Sequence, residues 1–174
     1  ILRIPCCFSQ PMPDNLGVEI YLPPEDLIKV AHIQAIAVHP DHRGNSLQRK
    51  LARAHLALAE DLGYHHILCT VSPKNPKSLS NMLSCGFRIE ALRPKFLGWF
   101  RFILHKDLKK FHLSSARDAD GRVEQIAISI SDLEGQLILL ESGFKGFKIE
   151  AQSGIIKVLY EKSRSIDEND PIPD

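Results

Sequence analysis

The residues whose types and spacing suit chemistry are gathered in one run, Ala31 to Leu51, AHIQAIAVHPDHRGNSLQRKL. An apolar stretch leads into a turn at Arg43-Gly44, and an amphipathic segment follows. A helix that opens there leaves its first backbone N–H groups without intrahelical acceptors, pointing at whatever lies in front of them. Arg43 adds a planar fork of donors that suits a diphosphate. The chemistry on offer is therefore the binding of a phosphate-bearing ligand. Neither G-x-x-x-x-G-K-[ST] nor G-x-G-x-x-G is present, which argues against nucleoside triphosphates and dinucleotides.

The segment VHPDHRGNSLQRKL resembles the acetyl-coenzyme A loop of the GNAT superfamily of N-acetyltransferases, whose pattern is [QR]-x-x-G-x-[GA]. Here it reads Arg43-Gly44-Asn45-Ser46-Leu47-Gln48. The resemblance continues through Gly63-Tyr64, His66 to Val71, Asn75 and Ser78 opening a second helix, and Gly86-Phe87, and covers roughly Gly17 to Asp107. It implies an α/β (α+β) fold, a mixed and mostly antiparallel sheet flanked by helices. It implies transfer of an acetyl group from acetyl-coenzyme A directly to a primary amine of a small molecule or protein, without a metal. By the same resemblance Ile36, Ala37 and Val38 offer backbone groups to pantetheine, and Arg43, Gly44, Asn45, Ser46, Leu47 and Gln48 hold the pyrophosphate. Asn75, with Ser78, meets the cofactor arm, and the N–H of Val38 stabilises the oxyanion.

Three positions depart from the family pattern. Ser46 replaces a glycine, Gln48 replaces a small residue, and Met82 stands where many relatives carry a tyrosine that protonates the departing thiolate. A thioether cannot donate a proton. A thiol leaves tolerably as the thiolate, so the change is expected to lower or reroute activity and not necessarily to abolish it. A base must also deprotonate the attacking ammonium. On a strand of period two, His32, Gln34 and Ile36 share one side, which makes His32 the candidate, with Glu19 on the preceding strand as its rival. A competing reading, motivated by Met82, is a catalytically impaired acyl-coenzyme A-binding or regulatory module. A third is a nucleic-acid-binding domain using Arg49, Lys50 and Arg53, which a solvated helix face explains as well.

The elements that must position these residues follow from periodicity. Ile33, Ile36 and Val38, with alanines between them, suit a central strand covered on both faces. After Gly44 the spacing of Leu47, Leu51, Ala54, Leu58 and Leu62 changes to threes and fours, predicting a helix docked on the sheet by that stripe, capped by Asn45 or Ser46 and closed by Gly63. The remaining order is a strand at Val18 to Leu22, a turn or short helix at Pro23 to Val30, a strand at His66 to Val71 and a helix from Pro76 to Ser84. Strands follow near Phe87 to Leu92 and Trp99 to His105, joined by a loop at Arg93 to Gly98. In the resembled family these last strands border the acceptor, so Arg93, Lys95 and Trp99 are placed to select it.

The acetyltransferase-like domain is expected over 1–107. By the resemblance it is expected to be N-terminally incomplete, because the family places further strands and helices before the cofactor strand. Ile1 to Phe8 reads as the end of a strand and Gln10 to Asn15 as a Pro-rich turn. A polar linker is expected at 108–124, a small βαββ unit at 125–164 and a disordered tail at 165–174. In that unit Gln125 to Ile130 reads as a strand, Asp132 to Glu141 as a helix capped by Ser131, and Phe144 to Glu150 with Ile155 to Tyr160 as a hairpin. The unit resembles the C-terminal extension of a bacterial subset of the superfamily, placed to cover an open sheet edge or to form a homodimer contact.

With 174 residues, 44% of them hydrophobic and 25% charged, the chain can bury one core and a small appendage. Lys+Arg 22 against Asp+Glu 21 gives a net charge of +1 and no general pull toward nucleic acid or membrane. Cys6, Cys7, Cys69 and Cys85 lack the spacing of a disulfide framework and read as reduced thiols. With no signal-peptide pattern and no apolar run of about 18 residues, the cytoplasm is the expected compartment. His39, His42, His65, His66 and Cys69 form no closed four-ligand spacing, so no metal is expected.

Overall fold

A computed structural model describes residues 6–8, 14–109 and 123–163. Eight strands form one sheet in the order β1-β2-β3-β5-β4-β7-β8-β6. In chain order these are β1 (Cys6–Phe8), β2 (Val30–Ile33), β3 (His66–Val71), β4 (Arg88–Lys95), β5 (Trp99–Asp107), β6 (Val123–Ser129), β7 (Lys145–Gln152) and β8 (Ile155–Ser163). The helices are α1 (Leu16–Glu19), α2 (Pro24–Leu27), α3 (Leu47–Asp61), α4 (Pro76–Leu83) and α5 (Leu133–Glu141). Among the described residues only β2 and β3 run parallel, and α3 is the crossover that a parallel pair requires.

One face of the sheet carries Ala31, Ile33, Ile67, Cys69, Leu92, Phe102 and Leu104, packed with Ala52, Leu79, Met82, Leu83 and Phe87 in the main core. The opposite face carries Val30, Leu68, Ala91 and Ile103, against which Leu16, Ile20 and Leu22 pack. The helix α5 hairpin unit extends the same sheet. Gly146 of β7 pairs with Ile89 of β4, and Phe144, Val158 and Tyr160 join the main core. Inside that unit Gln136 is fully buried yet satisfied, donating to the carbonyls of Ser129 and Ile130 and accepting from the Tyr160 hydroxyl at 2.6 Å.

Several elements differ from the sequence expectation for identifiable reasons. Val18 to Leu22 is not a strand. The buried Asn15 caps α1 by accepting from the N–H of Gly17 at 2.9 Å and donates to the carbonyl of Leu27 at 3.0 Å, winding this stretch into a turn of helix. The cap of α5 is Asp132, which accepts from Gly135, and not Ser131. The inward stripe of α3 is Ala52, His55 and Ala59, while Leu58 and Leu62 are exposed. Ala52 and Ala59 let the helix lie close on the sheet. β4 runs on through Pro94 to Lys95, because β7 leaves β4 after Ile89 and no ladder partner on that side needs the missing N–H. The expected turn at Gln10 to Asn15, the linker at 108–124 and the tail at 165–174 lie largely or wholly outside the described residues.

Candidate active site

β2 is shorter than its apolar run. Its pairing with β1 and with β3 ends at Ile33, opposite Cys6 on one side and Cys69 on the other. β3 continues to Val71, held by β5 alone. Residues 34–38 therefore leave the sheet and open a gap beside the C-terminal end of β3. Ile36, Ala37 and Val38, expected within the strand, lie on this departing stretch; Ile36 packs against the main core and Ala37 is exposed. Because the strand stops at Ile33, Ile36 does not share a side with His32, contrary to the expectation from period two.

The chain then turns through a short 3₁₀ segment, Pro40–His42, into Gly44 at φ 88° and Ser46 at φ 57°. Among the described residues, the backbone N–H groups of Gly44 to Gln48 donate to no protein acceptor. The first helix-closing bond runs from Lys50 to the carbonyl of Ser46. Ser46 occupies the cap position without capping, and its Oγ accepts from Arg49 at 2.5 Å. The Asn45 side chain donates to the carbonyl of His42 at 3.2 Å, and Arg43 reaches back to the carbonyl of Val38 at 3.3 Å. A row of amides at a helix start, unclaimed by the protein, is a receptor for anionic oxygen.

α4 opens beside it. Asn75 caps that helix by accepting from Ser78 N–H at 3.1 Å. Gln48 donates to Ser78 Oγ at 2.7 Å and accepts from Asn81 at 2.8 Å, tying the first turn of α3 to α4. The polar bridge Gln48–Ser78–Asn81 was not foreseen, although Gln48 and Ser78 were each singled out; a polar residue at an α3 position that the motif reserves for a small one was the available signal. Residues 42–50 and 72–81 contain Arg43, Arg49, Lys50, Lys74 and Lys77 and no carboxylate, so the field in front of both helix starts is positive.

The two candidate bases are placed differently from the expectation. His32 is buried, its Nε2 accepts from the N–H of Leu16 at 3.1 Å, and burial lowers its pKa to about 4. A neutral imidazole has one acceptor nitrogen, and here it is taken. His32 is thus a holder of α1 in this arrangement and has no lone pair left for an ammonium. Glu19 lies on α1 and not on a strand, and it is paired with Lys95 of β4. Met82 is buried in the main core on α4. Among the described residues no group of three or more His, Cys, Asp or Glu side chains is arranged to hold a metal ion.

Residues 17–87 match the family model described as the acetyltransferase (GNAT) family. The matched segment spans β2, the departing stretch, α3, β3 and α4, so the helix starts just described fall inside it. The chain is 36% identical over 61 residues to the L-amino acid N-acyltransferase MnaT of Escherichia coli (strain K12), covering 35% of this chain and 36% of that protein. It thus spans about a third of the length of that curated relative. Among solved structures it is similar to spermidine N-acetyltransferase from Vibrio cholerae in complex with CoA and spermine, with 24% identity and a TM-score of 0.44 over 48% of this chain and 53% of that one. It is also similar to an aminoglycoside acetyltransferase in complex with coenzyme A and kanamycin, with 20% identity and a TM-score of 0.45 over 51% and 52% of the two chains.

Proposed function

We propose that this chain carries the acetyl-coenzyme A-binding part of an N-acetyltransferase that moves an acetyl group directly to a primary amine. The observation that carries the reading is the set of unclaimed amides from Gly44 to Gln48, at the N-terminus of α3, beside the gap where residues 34–38 part from β3. In this reading Gly44, Asn45, Ser46, Leu47 and Gln48 hold the pyrophosphate through backbone N–H groups, with the Arg43 guanidinium alongside. Asn75 and Ser78 border the pantetheine arm, and Ile36, Ala37 and Val38 line the gap with backbone groups that β3 no longer uses.

In the transfer, the amine nitrogen bonds the carbonyl carbon as the C–S bond breaks, and the Val38 N–H is assigned to the oxyanion. Of the two protons that the ammonium loses, one is taken up by the departing thiolate and the other passes to solvent. With the His32 lone pair engaged by Leu16 and Glu19 engaged by Lys95, no described side chain is assigned as base. The test is calorimetric titration with acetyl-coenzyme A, followed by thiol release with a panel of amines. Absence of heat on titration sinks the reading.

The place of Met82 in the core favours a second reading, a module that binds acyl-coenzyme A without turning it over, since no hydroxyl is offered to the thiolate from that position. Heat on titration without thiol release for any amine selects it.

A further inference from the structure

The hairpin of β4 and β5 places Arg93 directly opposite Arg101. Like charges at directly opposed positions of antiparallel strands repel. Lys95, two residues along β4 on the side of Arg93, is neutralised by Glu19. Among the described residues neither arginine has a carboxylate within ion-pair range. The Arg93 guanidinium donates only to the carbonyl of Leu92 at 3.3 Å. The Arg101 guanidinium carbon stands 5.2 Å from the centroid of the Phe96 ring, and its Nε is buried with no hydrogen-bond partner. A buried N–H without an acceptor is a cost to the fold.

The register locates this pair. Val71, the last residue of β3, opposes Phe102, so Arg101 stands just beyond the end of β3, from which residues 34–38 have already departed. Arg93 and Arg101 are therefore at the gap end of the sheet. Trp99, 70% exposed, and Phe96, 65% exposed, flank them. Two forks of donors with no internal anion and an aromatic wall are complementary to one small anionic group attached to an apolar body.

We propose that Arg93 and Arg101 form the subsite for an anionic group on the acceptor, so that the amines used by this chain carry a carboxylate or a phosphate and polycationic amines are excluded. The proposal rests on the acetyl-transfer reading for the meaning of the word acceptor, but the anion site itself does not. Two cationic side chains at directly opposed positions of the hairpin repel a polyamine and receive an amino acid or a phosphorylated amine.

Ligand-observed NMR with the chain in the absence of acetyl-coenzyme A, using L-phenylalanine, its methyl ester, phosphoethanolamine and spermidine, tests the site alone. Binding is expected for L-phenylalanine or phosphoethanolamine, whichever anion fits, and not for the ester or spermidine. In thiol-release assays, Arg93→Gln and Arg101→Gln are each expected to raise KM for the anionic amine about tenfold or more, with kcat within about threefold. The KM for the ester stays unmoved. Should Arg101→Gln melt early because its stem is half-buried, Arg93→Gln reports alone. Binding of the anionic probe without any heat from acetyl-coenzyme A overturns the acetyl-transfer reading and keeps the subsite. No binding of either anionic probe, equal use of the ester or spermidine, or a KM change shared by acid and ester overturns the subsite.

Discussion

The Nε2 of His32, in the second position after the start of β2, accepts the backbone N–H of Leu16 at the start of α1. One buried imidazole thereby fixes a helix to the sheet, and it does so only while neutral. Burial holds its pKa near 4 against 6.5 in the unfolded chain, so between those values the unfolded state binds a proton that the folded state refuses. Stability consequently rises with pH through that window and levels off above it. The window is worth about 3 kcal/mol. His32→Gln, which keeps an acceptor for Leu16 but cannot titrate, is expected to lose about 2 kcal/mol less than the wild type between pH 7.5 and 5 in urea unfolding. It leaves the pH profile of acetyl transfer in place. Equal losses in the two proteins count against this role.

Ser46 sits in the left-handed region, where an L side chain costs about 1 kcal/mol, and its hydroxyl tethers Arg49. Ser46→Gly removes both. The melting temperature is expected to hold or rise, and the Kd for coenzyme A, read by calorimetry, to fall several-fold as Arg49 is released toward the phosphates. A weaker complex in the glycine variant shows that the serine hydroxyl itself contacts the ligand.

Gly146 is the single residue of β7 in register with β4, and a Cβ there would stand 2.7 Å from Cδ1 and 3.0 Å from Cβ of Ile89. The Cβ of Ile89 is anchored to its strand and cannot move aside. Gly146→Ala is expected to cost about 1–3 kcal/mol by forcing β7 off β4. Urea unfolding of Gly146→Ala in an Ile89→Ala background separates this from loss of glycine's freedom. Recovery of part of the cost in the double variant is the expected coupling, and strict additivity speaks against a clash with the Cγ1 and Cδ1 atoms of Ile89, since alanine keeps only the Cβ.

Glu90 accepts from His105 Nδ1 at 2.9 Å, and His105 Nε2 lies 3.0 Å from His66 Nδ1, while Lys145 pairs with the same carboxylate at 2.9 Å. Burial works to raise the Glu90 pKa, but the hydrogen bond and charge of His105, with Lys145, overcome it and hold the group at about 2. Its stabilising effect is present above pH 4.5 and fades as pH falls toward 2. Glu90→Gln is expected to be about 1–3 kcal/mol less stable than wild type at pH 7 and to converge with it in acid. Circular dichroism melts at pH 7 and pH 3 distinguish this from a uniform loss.

Much of the site was legible because it is written in local chemistry. The bounds of β3, the Asn75 cap with Pro76 behind it, the start of α3 after Gly44 and its end at Gly63 each follow from residues within a few positions of one another. What failed depends on partners far along the chain. β2 stops at Ile33 because β1 and β3 stop pairing there, which no property of Ile36 or Val38 announces. The role of His32 is decided by Leu16, and the helical turn at 16–19 by Asn15 reaching to Leu27. Arg101 was passed over although its partner Arg93 was singled out. Once the turn is placed at Phe96 to Gly98, strand pairing counts outward from Lys95 and Trp99 straight to that pair.

The lone parallel pair has a consequence for the order of assembly. Strands β4 and β5 meet across a three-residue turn, whereas the register joining Val30 to His66 must wait until the whole of α3 has been laid down between them. Loop closure over that span is slow compared with zipping a hairpin. In pulse-labelling hydrogen exchange during refolding, amides of Leu92 and Phe102 should gain protection before those of Val30 to Ile33; simultaneous protection would refute the sequence of events. A refolding molecule of this kind would complete the gap beside β3 only after the rest of its scaffold had set.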